Sequence, residues 1–325
     1  MLEVKDLRVN YKTQHGRPVT AVRGVSFTVP DHSFVGLVGE SGCGKSTLGF
    51  AISRLLNVKR NEVSGYVQLN GKELLTMSDR ELRKLRWSKI AIVLQGGMNA
   101  FNPVLKIKQQ FMDVMRAHGK FRVQDMVERI GYLLEQVKLD REVMEAYPHE
   151  LSGGMKQRVA IALSLVLEPE LIILDEPTTA LDVVVQRAIV DMLQDLQRRM
   201  KFSVLFISHD LGLVLEVAQR VMVMYAGDII EDESADVLLK GGNHPYTKAL
   251  LNCYGDPQSE EVRLVGIPGA PPDLSQPVVG CAFAPRCADA FAPCTLHQPP
   301  RVKTETGSIC CHLYTEMKGG SKIGN

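Results

Sequence analysis

Eight residues constrain this chain more than any others. Gly39-Glu40-Ser41-Gly42-Cys43-Gly44-Lys45-Ser46 fit the pattern G-x-x-x-x-G-K-[ST]. An apolar run, Phe34–Val38, precedes them and a helical pattern, Thr47–Leu56, follows. A strand that turns through glycines into a helix aims consecutive backbone N–H groups, and the positive end of the helix, at one point. Gly39, Gly42 and Gly44 carry no Cβ to keep a phosphate away from those groups. Lys45 would neutralise the outer phosphates of a nucleoside triphosphate, and the Ser46 hydroxyl would ligate Mg²⁺. Ser41, Cys43 and Thr47 complete the cofactor-binding stretch, with the Cys43 side chain as a small filler.

The rest of the pattern agrees with an α/β fold. Phe34–Val38, Leu171–Leu174 and Val204–Ser208 are continuously apolar, short and followed by polar or glycine-rich turns, as strands buried on both faces of a parallel sheet are. Residues 2–11 and 21–29 alternate with period two and predict an antiparallel start, and Val63–Leu69 before Asn70-Gly71 predicts a hairpin. Helices are expected over Gln124–Val137, Gln157–Leu167 and Asp182–Met200, the last with Val185, Ile189, Met192, Leu193, Leu196 and Met200 on one face. After about Leu251 prolines crowd in (Pro257, Pro268, Pro271, Pro272, Pro277 and others), at a density a helix-and-sheet core does not tolerate. The expectation is an α/β P-loop NTPase core over 1–252, comprising an N-terminal antiparallel β subdomain and a helical subdomain about 97–165. A small, irregular Cys-rich extension follows over 253–325.

Composition excludes some classes. The 325 residues carry a formal net charge of +1, with both signs interspersed, so no basic stripe offers itself to nucleic acid. Apolar stretches such as Val221–Tyr225 fall well short of the roughly 20 residues that span a bilayer. The alternating start MLEVKDLRVNY lacks the layout of a signal peptide. A soluble, intracellular chain is expected, reaching any membrane through another protein.

Two further motifs carry chemistry. Leu171–Leu174 ends in Asp175-Glu176, at the strand end where ligands gather in open α/β sheets. Asp175 can hold Mg²⁺, and Glu176 can polarise a water for in-line attack on a γ-phosphate. Leu151-Ser152-Gly153-Gly154-Met155 places a second Ser/Gly-rich turn at a helix start, another anion site. With these motifs in this order the chain resembles the ATP-binding-cassette (ABC) transporter ATPases. The resemblance implies that Ser152, Gly153 and Gly154 bind the ATP held by a second subunit, with Met155 standing where many members carry Gln. It implies that Gln95 senses Mg²⁺ and the membrane subunit, Ala180-Leu181-Asp182 contacts the partner ATPase, His209 of Ser208-His209-Asp210 meets the γ-phosphate, and Tyr11 stacks on adenine. Lys45, Glu176 and His209 are then the catalytic residues, and Ser46, Gln95 and Asp175 the Mg²⁺ residues.

Cys281, Cys287, Cys294, Cys310 and Cys311 crowd the tail. Four thiolates could hold an iron–sulfur cluster or a tetrahedral zinc, although the intervals of five, six and sixteen residues do not copy a zinc ribbon. Asn243-His244-Pro245-Tyr246-Thr247, Gly269-Ala270-Pro271-Pro272 and the Cys281–Arg286–Cys287 stretch resemble the C-terminal extension of the oligopeptide/dipeptide importer ATPases. That resemblance implies a [4Fe–4S] cluster on Cys281, Cys287, Cys294 and Cys311, with the Cys310-Cys311 doublet leaving the fourth ligand open and zinc as the alternative. It also implies a partner ATPase that is a related but different chain, two membrane permease subunits beside the Gln95–Val104 loop, an extracellular solute-binding protein, and a place on the cytoplasmic face of the membrane. Peptide is the expected solute, with oligosaccharide and nickel importers sharing this ATPase type.

Overall fold

The computed structural model describes residues 1–13, 17–57, 60–97, 100–179, 181–253 and 266–315. The extension expected over 253–325 is thus described at 253 and 266–315, and Ala180 and residues 98–99 lie outside the described residues.

Strands β1 (Leu2–Tyr11) and β2 (Val19–Val29) pair antiparallel, β4 (Asn61–Leu69) takes the other edge of β1, and β5 (Lys72–Glu73) closes a four-stranded sheet. Asn70 and Gly71 join the last two strands with φ of 45° and 81°. Positive φ at both central residues is what a two-residue type I′ turn requires.

The second sheet has eight strands. Its parallel heart is β3 (Phe34–Val38), β6 (Ile90–Val93), β7 (Leu171–Asp175), β8 (Ser203–Ser208) and β9 (Arg220–Tyr225). Antiparallel β10 (Asp228–Ser234), β12 (Ser308–Cys310) and β11 (Arg301–Lys303) extend it beyond β9, giving the order β11-β12-β10-β9-β3-β8-β7-β6. Every residue of β3, β7 and β8 is buried, and strand alternation divides them between two cores. Val35, Leu37, Ile173 and Ile207 face the antiparallel sheet, with α1 (Lys45–Ile52) wedged between the sheets through Leu48 and Ile52. Phe34, Val38, Ile172, Leu174 and Phe206 face a layer of helices. There α3 (Ile107–His118), α4 (Val123–Gln136) and α5 (Gly153–Ser164) form the helical subdomain, and α6 (Val183–Met200) and α7 (Leu211–Val217) back the sheet. Short α2 (Asp79–Leu85), α8 (Ala235–Leu239), α9 (Pro245–Asn252) and α10 (Ala292–Leu296) are the remaining α-helices among the described residues.

Helix limits differ from the sequence expectation for local reasons. The first helix stops at Ile52, not Leu56, because Arg54 turns to φ 54° and its guanidinium donates to the carbonyls of Leu74, Leu75 and Met77. The helix expected from Gln157 begins at Gly153, capped by the Ser152 hydroxyl, which accepts from the Met155 N–H.

The proline-rich composition predicts an irregular tail, yet residues 301–310 add the hairpin β11–β12 to the central sheet. Three-residue strands are too short to leave a period in the sequence. The junction is sealed by buried carboxylates: Glu233 accepts from the Thr304 and Thr306 hydroxyls, and Glu231 from the N–H groups of Asn243 and His244 at 2.7 and 3.0 Å. Gly307 sits so close that a Cβ would lie 1.8 Å from the Asp232 carbonyl oxygen. Gly307→Val is therefore expected to pry β12 from β10 and to cost about 1–3 kcal/mol. Thermal unfolding reads the loss, and limited proteolysis should release the C-terminal segment earlier than in the parent chain.

Candidate active site

At the C-terminal ends of β3, β7 and β8 a cleft of about 550 Å³ opens between the two sheets. Its floor is the loop 39–46, which glycine alone can follow. Gly42 and Gly44 take φ of 79° and 108°. A Cβ on Gly44 would lie 2.2 Å from the Ala21 carbonyl oxygen, and one on Gly39 2.1 Å from that of Met224. The loop is thus pressed against a strand from each sheet. Lys45 lies across it, its Nζ donating to the carbonyls of Gly39 at 2.7 Å and Glu40 at 3.0 Å. Buried Cys43 fills the space beneath, and burial pushes its thiol up.

Asp175, 1% exposed, accepts the Ser46 hydroxyl on Oδ1 at 2.9 Å. Its buried Oδ2 has no hydrogen-bond partner. Burial holds this carboxyl above the usual range against the pull of the Ser46 bond, and neighbouring Glu176 adds to the rise. An orphaned buried carboxylate oxygen beside a hydroxyl fits Mg²⁺, a hard cation that takes oxygen ligands. Gln95, just past β6, lines the same cleft.

Glu176 turns out of β7 with φ 50°, its N–H donating to the Ile207 carbonyl at 2.9 Å. That left-handed backbone swings the carboxylate toward the end of β8, where Oε2 bonds His209 Nδ1 at 2.7 Å and accepts from Thr179 Oγ1 at 2.9 Å. Strand adjacency, Asp175 opposite Ile207, brings together residues 33 apart. Tyr11 closes the far end, its hydroxyl 2.9 Å from Thr47 Oγ1. Val19, Ala21 and Leu274 also line the cleft; sequence reading missed them, since no motif marks an aliphatic wall.

The Ser152–Gly154 turn lines no part of this cleft. It is the exposed N-terminus of α5, and Gly154 is held close to α6, where a Cβ would stand 2.8 Å from Val185 Cγ1. Asp182 caps α6 by accepting from the Val185 N–H at 2.9 Å, leaving Val183 and Val184 78% and 79% exposed. A separate apolar groove of about 410 Å³ runs between the edge strand β6 and the helical subdomain, lined by Leu55, Trp87, Val93, Phe101 and Leu163 among others.

In the tail Cys294, Cys310 and Cys311 are buried, Cys281 and Cys287 half-buried, and none forms a disulfide. Burial pushes the Cys311 thiol up to about 11, with Cys281, Cys287 and Cys294 adding to the rise. The Cys310 sulfur instead lies 3.8 Å from the Ile229 carbonyl oxygen. Among the described residues no three His, Cys, Asp or Glu side chains form a metal-ion site, and no helix is long and apolar enough to cross a membrane.

A glycine-lined phosphate loop, a strand-end Asp-Glu pair and a strand-end histidine on one parallel sheet define a P-loop nucleoside triphosphatase. Residues 22–179 match the ABC transporter family, and residues 230–294 match the oligopeptide/dipeptide transporter C-terminal region. The chain is 39% identical to a dipeptide transport ATP-binding protein, DppD, of Caldanaerobacter subterraneus, over 97% of this chain and 98% of the relative. With the oligopeptide transport ATP-binding proteins OppD of Bacillus subtilis and Salmonella typhimurium it shares 40% and 41% identity, over 93% and 92% of this chain and 86% and 89% of theirs. The dimeric bacterial ABC transporter cassette MJ0796 superposes with a TM-score of 0.65 at 27% identity, over 72% of this chain and 99% of the cassette. A second structure of that cassette is a post-hydrolysis state bound to ADP and Pi, with the same TM-score. The chain belongs to the ABC transporter family of ATPases.

Ionised Asp175 is a burden on the nucleotide-free fold. A carboxyl whose folded-state pKa is raised contributes stability below its unfolded pKa, and that contribution is lost as pH rises through the folded value. At pH 7, Asp175→Asn should raise the thermal midpoint of the nucleotide-free protein while lowering Mg-ATP hydrolysis by about a hundredfold or more. A lowered midpoint would contradict the orphaned-oxygen assignment.

Proposed function

We propose that this chain powers the import of di- or oligopeptides as one of two ATPase subunits beneath a membrane permease, with ATP bound between the subunits. The carrying observation is that the two anion-binding turns of one chain are apart: the phosphate loop floors the cleft, while the Ser152-Gly153-Gly154 turn is exposed elsewhere. A second ATPase facing this one in the opposite sense brings each turn to the other's loop. The names of the full-length relatives, dipeptide and oligopeptide transport ATP-binding proteins, support peptide as the solute. The exposed Val183 and Val184 at the start of α6 suit burial in the ATPase pair.

On this reading the residues take the following roles. Backbone amides of residues 41–47 and the Lys45 ammonium hold the β- and γ-phosphates, and Tyr11 meets the base. Ser46, Asp175 and Gln95 hold Mg²⁺, which supplies charge neutralisation at the phosphates when bound. Glu176 takes the proton of the attacking water, aimed by its bonds to Thr179 and His209, while His209 meets the γ-phosphate. The groove beside β6 suits a short amphipathic helix of the permease; its Trp87, Phe101 and Leu163 are an apolar floor next to Gln95. A related but different ATPase as partner, an extracellular solute-binding protein and a position on the cytoplasmic membrane face complete the reading.

In the tail, Cys281, Cys287, Cys294 and Cys311 are proposed to hold a structural [4Fe–4S] cluster. Support comes from their nearness, since Cys281, Cys287 and Cys294 each act on the Cys311 thiol and iron–sulfur clusters are held by Cys thiolates. Zinc is the alternative, a single tetrahedral ion that would draw its sulfurs within about 2.3 Å of itself. A four-iron cube is larger and keeps its thiolates further apart.

Glu176→Gln should cut ATP turnover about 10²–10⁴-fold, the range for a lost general base, and stop labelled-peptide uptake in vesicles holding the permease, both ATPases and the binding protein. Turnover at the parent rate would refute the catalytic assignment. Anaerobically purified protein should carry about four irons per chain that Cys311→Ser loses and Cys310→Ser keeps, measured by iron assay and visible absorbance.

A further inference from the structure

Nothing in the chemistry of the phosphate loop requires a side chain at residue 40, yet this one is gripped. Glu40 receives both prongs of the Arg286 guanidinium, Nη1 to Oε2 at 2.7 Å and Nη2 to Oε1 at 2.9 Å, across 246 residues of chain. The arginine side chain is 5% exposed and the glutamate 23%. Arg286 is itself held from several sides. Its Nε donates to the Pro268 carbonyl at 2.8 Å, Nη2 to that of Ile267 at 3.3 Å, and Nη1 to the Tyr225 hydroxyl at 3.2 Å. The guanidinium also stands 5.8 Å from the centre of the Tyr225 ring. Meanwhile the Glu40 N–H donates to the Tyr246 hydroxyl at 3.0 Å, and the Glu40 carbonyl accepts from Lys45. Side chain, amide and carbonyl of one loop residue are therefore all engaged. The same C-terminal segment touches the cleft again at Leu274, whose carbonyl accepts from the Thr20 N–H of β2 at 3.1 Å.

We propose that Arg286 is a positioning residue of the ATPase site: by holding Glu40 it keeps the phosphate loop in its binding form, so that residues 266–286 act as an intramolecular clasp on nucleotide affinity. A glycine-rich loop left to itself samples many conformations, and ordering it on binding costs affinity. A guanidinium fixed by carbonyls and a ring meets that cost in the folded chain, and its planar fork fits a carboxylate as a lysine ammonium does not. Since Glu40 is not among the residues lining the cleft and acts on it through the loop backbone, the clasp acts on binding and leaves the attack step, at Glu176, unchanged.

The inference rests on the nucleotide reading of the cleft, which Lys45→Ala tests separately by loss of Mg-ATP binding. The full-length chain is compared as Glu40→Gln, Arg286→Met, Arg286→Lys and the double variant Glu40→Gln/Arg286→Met. Equilibrium binding of a fluorescent ATP analogue, competition by Mg-tripolyphosphate, and kcat and KM are measured. Each of the first two variants should weaken binding about tenfold, tripolyphosphate included, with kcat at saturating ATP within about twofold of the parent. Arg286→Lys should recover part of the loss, and the double variant should bind no more weakly than the weaker single. Glu40→Gln leaves the carbonyl contacts of Arg286 in place and carries the test if Arg286→Met fails to fold. Parent affinity in Glu40→Gln, additive losses in the double variant, or a loss confined to kcat would overturn the clasp. Should Lys45→Ala also bind Mg-ATP normally, the nucleotide reading itself fails.

Discussion

Close approach of backbone to backbone at the end of β3 is the constraint on which the rest of the molecule depends. Gly39 and Gly44 stand where a Cβ would strike carbonyl oxygens of Met224 and Ala21, one from each sheet. The loop can therefore be narrow enough to encircle a phosphate only because strands on both sides press on it. The wedge of α1 between the sheets follows, since the helix must leave the loop in the direction that keeps its N-terminus aimed into the cleft. The core between the sheets is organised around that wedge through Leu48 and Ile52, and the helical layer packs on the other face of the parallel strands.

Chemistry in the cleft is then a matter of which strands are neighbours. The order β3-β8-β7 sets the phosphate loop, His209 and the Asp-Glu pair side by side at strand ends, far apart as they are in sequence. Within that frame local backbone does the aiming. The left-handed turn at Glu176 separates two consecutive carboxylates into different environments. Asp175 stays buried against Ser46, and Glu176 reaches His209 and Thr179.

The C-terminal segment is tied to this centre more closely than its irregular composition suggests. It lengthens the central sheet through β11 and β12, contributes Leu274 to the cleft, and sends Arg286, one residue before Cys287, onto the phosphate loop. The buried Glu231 and Glu233 carboxylates on β10 are both matched with partners. A segment poor in long helices and strands can still be well determined when its polar groups are satisfied by the body it covers.

By itself the sequence determined what is local. The parallel strands are legible because burial on both faces leaves unbroken apolar runs, the hairpin at Asn70-Gly71 because positive φ selects those residues, and the phosphate loop because its chemistry is written in adjacent positions. The Asp175-Glu176 and Ser208-His209 strand ends are legible for the same reason. Only the tertiary structure decided what depends on long-range neighbours. These are the aliphatic wall of Val19, Ala21 and Leu274, the orphaned oxygen of Asp175, and the grip of Arg286 on Glu40. No periodicity or motif encodes them, since each is a meeting of residues whose separation along the chain is arbitrary and whose proximity is set by strand order and packing.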